Sequence, residues 1–264
     1  MYEFNYHRPK TLADAEKLLT SLTEPKLLAG GMTLIPTLKQ RLAAPSDLVD
    51  LQGIGELKGV KREGNELVIG AMTPHWDVHT SPDVKSAIPA LAELAGLIGD
   101  PSVRHRGTIG GSVANSDPAA DYPSAVLALN ATVVTTKRKI AADGYFKGLF
   151  ETALEPGEIV TAIRFPLPEK AGYQKFPNPA SGYAMVGVFV AKTKDGVRVA
   201  VTGAGPCAFR VPEMEAALAK SFTPDAVATI AVSDDNLMSD IHGSAEYRAH
   251  LVTVMAKRAV ASAK

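Results

Sequence analysis

The chain has 264 residues, 46% of them hydrophobic, with 28 Lys+Arg against 28 Asp+Glu. That is enough apolar material for one large or two ordinary domains, and zero net charge offers nothing global to draw in nucleic acid or an anionic membrane. A single cysteine, Cys207, excludes an internal disulfide, a four-cysteine zinc site and a self-contained iron–sulfur cluster. The N-terminal stretch MYEFNYHRPK has no apolar signal core, and the longest apolar runs are strand-sized, so a soluble cytoplasmic protein is expected.

TLADAEKLLTSL has helical spacing through Leu12, Ala15, Leu18, Leu19 and Leu22, with Thr11 as its N-cap. KLLAGG reads as a short buried strand ending in two glycines, TLIPTLKQRLA as a helix from Thr33, and SDLVDL as another strand. GVKREGNELVIGAMT is a hairpin turning at Glu63–Asn65. PHWDVHTSPDVKSAIPALAELAGLIGD is helical with breaks at its prolines. DYPSAVLALNA is a helix, TVVTT a strand, and KRK (Lys137–Lys139) a solvated turn. GEIVTAIRFPLP ends a strand in prolines, which predicts a boundary near 167–172. Beyond it YQKF, YAMVGVFVAK and GVRVAVTGAG read as antiparallel strands. The helical segments VPEMEAALAK, TPDAVATIAV and SAEYRAHLVTVMAKRAVASAK follow. The fold class is α+β in two parts, 1–170 and 171–264.

Two glycine pairs stand 80 residues apart, Gly30–Gly31 in LLAGGMT and Gly110–Gly111 in GTIGGS. Each follows apolar residues and precedes a hydroxyl residue. Glycine admits positive φ and close approach, and successive amides in such turns form an anion-binding nest. A helix starting at Thr33 adds its dipole. Two such loops converging would grip a diphosphate from both sides; the alternative is that each pair is a plain tight turn. In SDPAAD, Asp117 is an N-cap with Pro118 at the first helical position, and Asp121 faces roughly the same way. Asp121 is then either a carboxylate for ribose or ribityl hydroxyls or a first-turn acid that suits the helix dipole.

Other patterns lead elsewhere or nowhere. GAGPCA (203–208) mimics a dinucleotide-binding loop, but Pro206 and FRVP delay the helix such a loop needs, so a turn at a strand edge is expected. His75 and His79 have the i,i+4 spacing of two metal ligands without a third, and a partly exposed helix face is the simpler reading. RHR (Arg104–Arg106) offers charge to a phosphate or to a partner, or makes solvated salt bridges. No G-x-S-x-G nucleophile elbow occurs.

Taken together, KLLAGGMTLIPTLKQRL, RGTIGGSVANSDPAADYPSAVLALNATV and YQKFPNPASGYAMVGV resemble the FAD-binding medium subunit of the molybdenum hydroxylases, over nearly the whole chain and in the family's order. Among these the likeness is nearest to the aerobic carbon monoxide dehydrogenase medium chain. The resemblance implies a two-lobed FAD-binding domain of the PCMH (vanillyl-alcohol-oxidase) type over 1–170, its lobes splitting near 52–58. A small antiparallel sheet with helices follows over 171–264. It also implies bound FAD on this chain, and molybdenum–pterin cytosine dinucleotide and two [2Fe–2S] clusters on partner subunits. The chain would then pass electrons from those clusters to an external acceptor, within a heterotrimer that dimerises. The complex is cytoplasmic on this reading, or peripheral to the inner face of the membrane.

Carried over by motif, Ala29, Gly30, Gly31, Met32 and Thr33, with Thr108, Ile109, Gly110, Gly111 and Ser112, wrap the pyrophosphate. Leu27 and Lys26 flank the adenosine side. Asn115 and Asp121 hydrogen-bond the cofactor, Val160 and Lys175 approach it, and Tyr183 lies towards the flavin ring. Met32 stands where relatives often carry His or Gln, and Gly182 where an Arg is common. The implied substrate-oxidising centre sits on a partner, so carbon monoxide, N-heterocycles and aldehydes all stay open, as does the acceptor. The alternative is a non-catalytic nucleotide-binding module that assembles or regulates a partner complex.

Overall fold

The computed structural model describes residues 1–264. Its first lobe is a small parallel sheet. β1 (Asn5–His7) leads through α1 (Leu12–Ser21) to β2 (Pro25–Leu28), and α2 (Leu34–Lys39) leads to β3 (Asp47–Asp50). The sheet order is β1-β3-β2. Thr11 caps α1 as expected, its Oγ1 accepting the Asp14 N–H at 3.1 Å. β2 is only half-buried rather than buried, because it is an edge strand; central β3 is buried along its whole length.

The expected hairpin follows as β4 (Val60–Glu63) and β5 (Glu66–Gly70). Prolines then partition a run of short helices: α3 (His75–Thr80), α4 (Pro82–Ala87), α5 (Pro89–Gly96) and α6 (Pro101–Arg106). α7 (Ile109–Asn115) and α8 (Tyr122–Ala128) complete the run, and every residue of α8 is buried. The chain returns through β6 (Thr132–Thr135), β7 (Lys139–Ala141), a two-stranded hairpin of β8 (Phe146–Gly148) and β9 (Glu151–Thr152), and β10 (Val160–Pro166). β10 inserts between β5 and β6 to give the antiparallel order β4-β5-β10-β6-β7. The KRK segment is more than a solvated turn. Arg138 ion-pairs at 3.0 Å with Glu158, whose side chain is fully buried, and ties the turn to the start of β10.

The last third is an antiparallel meander of β11 (Lys170–Pro177), β12 (Ala184–Thr193), β13 (Gly196–Thr202) and β14 (Phe209–Arg210). It is covered by α9 (Pro212–Lys220), α10 (Pro224–Val227) and α11 (Ala245–Ser262). Alternation along β12 explains why it is buried on both faces. Phe189 and Ala191 join the core that includes α5, α7 and α8, whereas Val186, Val188 and Val190 join the core under α11. α10 stops after four residues, shorter than the ten of TPDAVATIAV, where β-branched Thr229, Ile230 and Val232 weaken helix propensity. The helical layer α5–α8 thus lies between two sheets, and one core of 33 residues runs through both halves of the chain.

His75 departs from the exposed helix face expected of it. It is buried at the start of α3 and packs against Tyr122 of α8 with ring centroids 5.4 Å apart. Burial, with a smaller contribution from Arg104, pulls its pKa down from 6.5 to about 4. Above pH 6.5 the folded and unfolded chains both hold it neutral. Between pH 6.5 and about 4 only the unfolded chain takes up the proton, so stability falls across that window, by about 3 kcal/mol in total. Thermal melts across this range are expected to show the loss, and His75→Gln is expected to flatten it; an unchanged slope in the variant overturns the assignment.

Candidate functional site

The first glycine pair lies at the carboxyl end of β2, where the chain turns towards α2. Gly31 takes φ +77, which only glycine adopts easily. Asp50 and Gln52 support the turn from beneath: Asp50 Oδ1 accepts the Gln52 N–H at 2.8 Å, and Gln52 Nε2 donates to the Ala29 carbonyl at 3.2 Å. The N–H groups of Gly30, Gly31, Met32 and Thr33 have no acceptor within the protein. Four adjacent free amides at the start of α2 form a ready donor set for an anion. Met32 and Thr33 are exposed beside them.

The second glycine pair differs from its expected form. Gly110 and Gly111 are not in a turn and take no positive φ; they form the first turn of α7, capped by Thr108. Their purpose is close packing. A β-carbon at Gly110 would sit 2.4 Å from Ala71 Cβ, and one at Gly111 would sit 2.9 Å from Thr108 Oγ1 and 3.3 Å from Ala29 Cβ. The amides here are largely engaged. Ile109 donates to Thr73, Gly110 to Ala71 at 2.8 Å, Gly111 to Thr108 Oγ1 at 3.1 Å and Ser112 to the Thr108 carbonyl at 3.0 Å. Of this stretch only the Thr108 amide lacks a partner.

The two segments nevertheless meet. A β-carbon at Gly30 would lie 2.1 Å from the Arg106 carbonyl oxygen and 2.7 Å from Gly107 Cα. The arrangement is asymmetric: the first segment presents amides, and the second packs against it as a capped helix with Ser112 and Asn115 half-exposed. Arg104 makes no salt bridge. It donates to the carbonyls of Ile98 and Gly99, both at 3.0 Å, and fixes the α5–α6 turn.

Asp117 caps a turn rather than a helix, accepting the Ala119 N–H at 2.9 Å, because Ser116 has already coiled the chain left-handed at φ +48. The helix starts after Asp121 instead. Asp121 is 4% exposed and carries the centre of a buried cluster. Tyr173 donates to its Oδ1 at 2.5 Å, and Lys175 Nζ lies 3.0 Å from Oδ1 and 3.3 Å from Oδ2. Lys175 also donates to the Leu97 carbonyl at 2.8 Å. Burial pushes the Asp121 carboxyl up, against the opposing pull of Lys175 and Tyr173. Tyr183 is 49% exposed; its hydroxyl is pushed up by desolvation and then by the nearby charges of Asp117 and Asp121. Val160 is buried at the start of β10, and Leu27 is half-buried on β2.

Tyr173, the Leu97 carbonyl and Gln52 escape the sequence reading. Tyr173 was accessible to it, since it precedes Lys175 by two residues on one strand and shares its face. The other two depend on contacts between distant segments. The GAGPCA stretch is a turn leading to strand β14, as expected, and no group of three or more His, Cys, Asp or Glu is placed to hold a metal ion.

Residues 2–168 match the model of the FAD binding domain in molybdopterin dehydrogenase, and residues 171–263 match the CO dehydrogenase flavoprotein C-terminal domain. The chain is 40% identical to the carbon monoxide dehydrogenase medium chain of Afipia carboxidovorans, over 99% of this chain and 96% of that one. It is 36% identical to the glyceraldehyde dehydrogenase medium chain of Sulfolobus acidocaldarius, over 97% of each. The reconstituted CO dehydrogenase from Oligotropha carboxidovorans superposes with a TM-score of 0.93 at 37% identity, covering 98% of this chain and 97% of that one. The chain belongs to this family as an FAD-binding medium subunit of an oxidoreductase.

Proposed function

We propose that the chain is the electron-transferring subunit of a heterotrimeric molybdenum hydroxylase. It takes electrons from [2Fe–2S] clusters on a small subunit and delivers them to an external acceptor, while substrate is oxidised at a molybdenum–pterin centre on a large subunit. The observation that carries this reading is the row of free amides from Gly30 to Thr33 against the α7 segment. It occurs on a chain whose one cysteine cannot itself hold a cluster. The reading divides the chain at 170/171, pairs two heterotrimers, and places the complex in the cytoplasm, free or against the inner face of the membrane. No helix is long and apolar enough to cross a membrane.

In this proposal the Ala29–Thr33 segment holds the FAD pyrophosphate, mainly through the amides of Gly30, Gly31, Met32 and Thr33, with Leu27 and Lys26 flanking the adenosine side. Thr108, Ile109, Gly110, Gly111 and Ser112 form the opposing wall. Asn115 and Asp121 hydrogen-bond the cofactor, Asp121 as an acceptor, Val160 and Lys175 approach it, and Tyr183 lies towards the flavin ring. The donor set fits the group: amides and helix dipoles answer the diphosphate without a basic patch. Asp121 already holds Lys175, so the pair presents polar atoms with little net charge. FAD when bound supplies the redox chemistry, and the protein binds, orients and shields it. The relatives' names span carbon monoxide and glyceraldehyde, so the substrate belongs to the partner that oxidises it.

The natively purified protein is expected to show the two absorption bands of oxidised flavin and to release FAD on denaturation. A protein that is colourless and takes up no added FAD would favour the regulatory nucleotide-binding module instead. Gly30→Ala forces a methyl group onto the Arg106 carbonyl. Overpacking of this kind costs about 1–3 kcal/mol, so FAD affinity is expected to fall by up to about 100-fold. Titration with FAD, alongside a melting curve to show that the variant is folded, checks this; full retention of affinity removes the contact from the binding model.

A further inference from the structure

We infer that Tyr173 is a positioning residue for the cofactor: seated in a gap left by Gly187, its hydroxyl fixes the Asp121 carboxylate so that one oxygen is left to accept a hydroxyl of FAD. The inference rests on the proposed function, which supplies the cofactor. It adds a role for two residues of the last sheet, Tyr173 and Gly187, that lie outside the glycine motifs.

The last sheet turns one face towards the segment that ends in Asp121. Strand register sets Lys175 of β11 beside Gly187 of β12, and Gly187 beside Thr202 of β13. Tyr173, two residues before Lys175, shares that face and stands beside Phe189. Lys175 and Tyr173 reach the Asp121 side chain from here. Thr202 Oγ1 donates to the carbonyls of Pro118 at 2.9 Å and Ala120 at 2.6 Å. One face of the sheet therefore holds both the Asp121 carboxylate and the backbone that leads to it.

Gly187 interrupts a buried run of β12, between Val186 and Val188, and takes no positive φ. Its glycine serves space rather than conformation. A β-carbon there would lie 2.5 Å from the Tyr173 hydroxyl oxygen, 3.2 Å from its Cζ and 3.0 Å from Thr202 Cγ2. A glycine inside a strand weakens it and marks a close approach. Here the end of the buried Tyr173 ring fills the gap, which lets its hydroxyl lean across the sheet to Asp121.

Donors crowd one oxygen of that carboxylate. Oδ1 accepts from Tyr173 at 2.5 Å and has Lys175 Nζ at 3.0 Å, whereas Oδ2 has Lys175 alone, at 3.3 Å. Lys175 is shared further with the Leu97 carbonyl. A carboxylate has about four acceptor sites, and a buried one is normally well supplied with donors. The ion pair would suffice as a tie between layers; the second donor on Oδ1 orients the group and leaves Oδ2 open to a hydroxyl. Tyr173 also acts on the charge. Burial pushes the Asp121 carboxyl up, and Lys175 and Tyr173 oppose it. The other titratable groups around it are Tyr122 and Tyr183, pushed up by burial first and by acidic neighbours second, and Asp117, which acts on Tyr183. Removing the Tyr173 hydroxyl takes a donor from the anion, so the carboxyl rises further and accepts less well as pH falls.

The test titrates FAD into the flavin-free full chain across neutral pH, with a melting curve for each variant. Tyr173→Phe keeps the ring and removes the hydroxyl. It is expected to bind FAD about 10-fold more weakly than the natural chain at about pH 6, with a smaller difference at about pH 8.5. Gly187→Ala displaces the hydroxyl without removing it and is expected to change the pH profile in the same direction. If both variants only melt earlier and follow the natural pH profile, Tyr173 is a structural tie and the inference is overturned. The carboxyl carbon resonance of Asp121, followed by NMR in the flavin-free chain, separates this inference from the flavin reading. Its titration is expected to move to higher pH in Tyr173→Phe, and an unmoved titration overturns the positioning role whether or not FAD binds. A natural chain that takes up no FAD sinks the flavin reading, and a titration moved by Tyr173→Phe then leaves Tyr173 as the residue that fixes Asp121.

Discussion

A buried carboxylate ties the helical layer of this protein to its last sheet. Asp121 belongs to the helical layer, whereas Tyr173 and Lys175, which bind it, belong to the last sheet. Lys175 reaches on to the Leu97 carbonyl at the end of α5, so one ammonium ties three elements. Removing one member of a buried pair strands the other, at a cost of about 3–5 kcal/mol. The stretch just before Asp121 is fixed from the same side, since Thr202 Oγ1 donates to the carbonyls of Pro118 at 2.9 Å and Ala120 at 2.6 Å. The segment carrying the candidate cofactor carboxylate is thus shaped by residues from beyond position 170, and the first 170 residues alone would not hold it in place.

The charge balance of the chain makes sense in this light. A site for a diphosphate need not be lysine-rich if backbone amides provide the donors, and here those donors come from one side. The Gly30–Thr33 amides are free, while the α7 amides are engaged within the protein. The engaged segment contributes by position, because its Arg106–Gly107 backbone is the surface on which Gly30 rests. The one buried cation near this region, Lys175, is already paired. In the proposed site, attraction for the cofactor would therefore come from dipoles in fixed orientation, which are less sensitive to salt than exposed side chains.

Much of this was legible in the sequence where local chemistry controls structure. The α1 cap at Thr11, the β4–β5 hairpin and the proline-partitioned helices follow from spacing and turn residues. Failures occurred where distant packing decides. Gly110 and Gly111 look like a turn because adjacent glycines usually make one, but here they let a helix approach Ala71 and Ala29, a contact made across the fold. The Asp117–Pro118 pair has every local mark of a helix start, yet the left-handed Ser116 and the bonds from Thr202 hold it as a turn. His75 reads as part of a partly exposed helix face because nothing local marks a polar side chain for burial. The motifs point to the two segments that meet in the fold; which of their amides stay free required the fold itself.

One residue connects the surface to the interior. Gly203 donates its N–H to Pro118 and offers its carbonyl to Arg248, so the same residue touches the segment before Asp121 and the guanidinium that holds the Asp240–Gly243 turn. It takes φ +82, and a β-carbon there would lie 2.4 Å from the Ala184 carbonyl oxygen, so neither its conformation nor its surroundings accept another residue. The Asp240–Gly243 turn is thereby linked to the segment before Asp121 by a short path of covalent and hydrogen bonds: Asp240, Arg248, Gly203, Pro118. Because each link is buried or paired, that path is stiff.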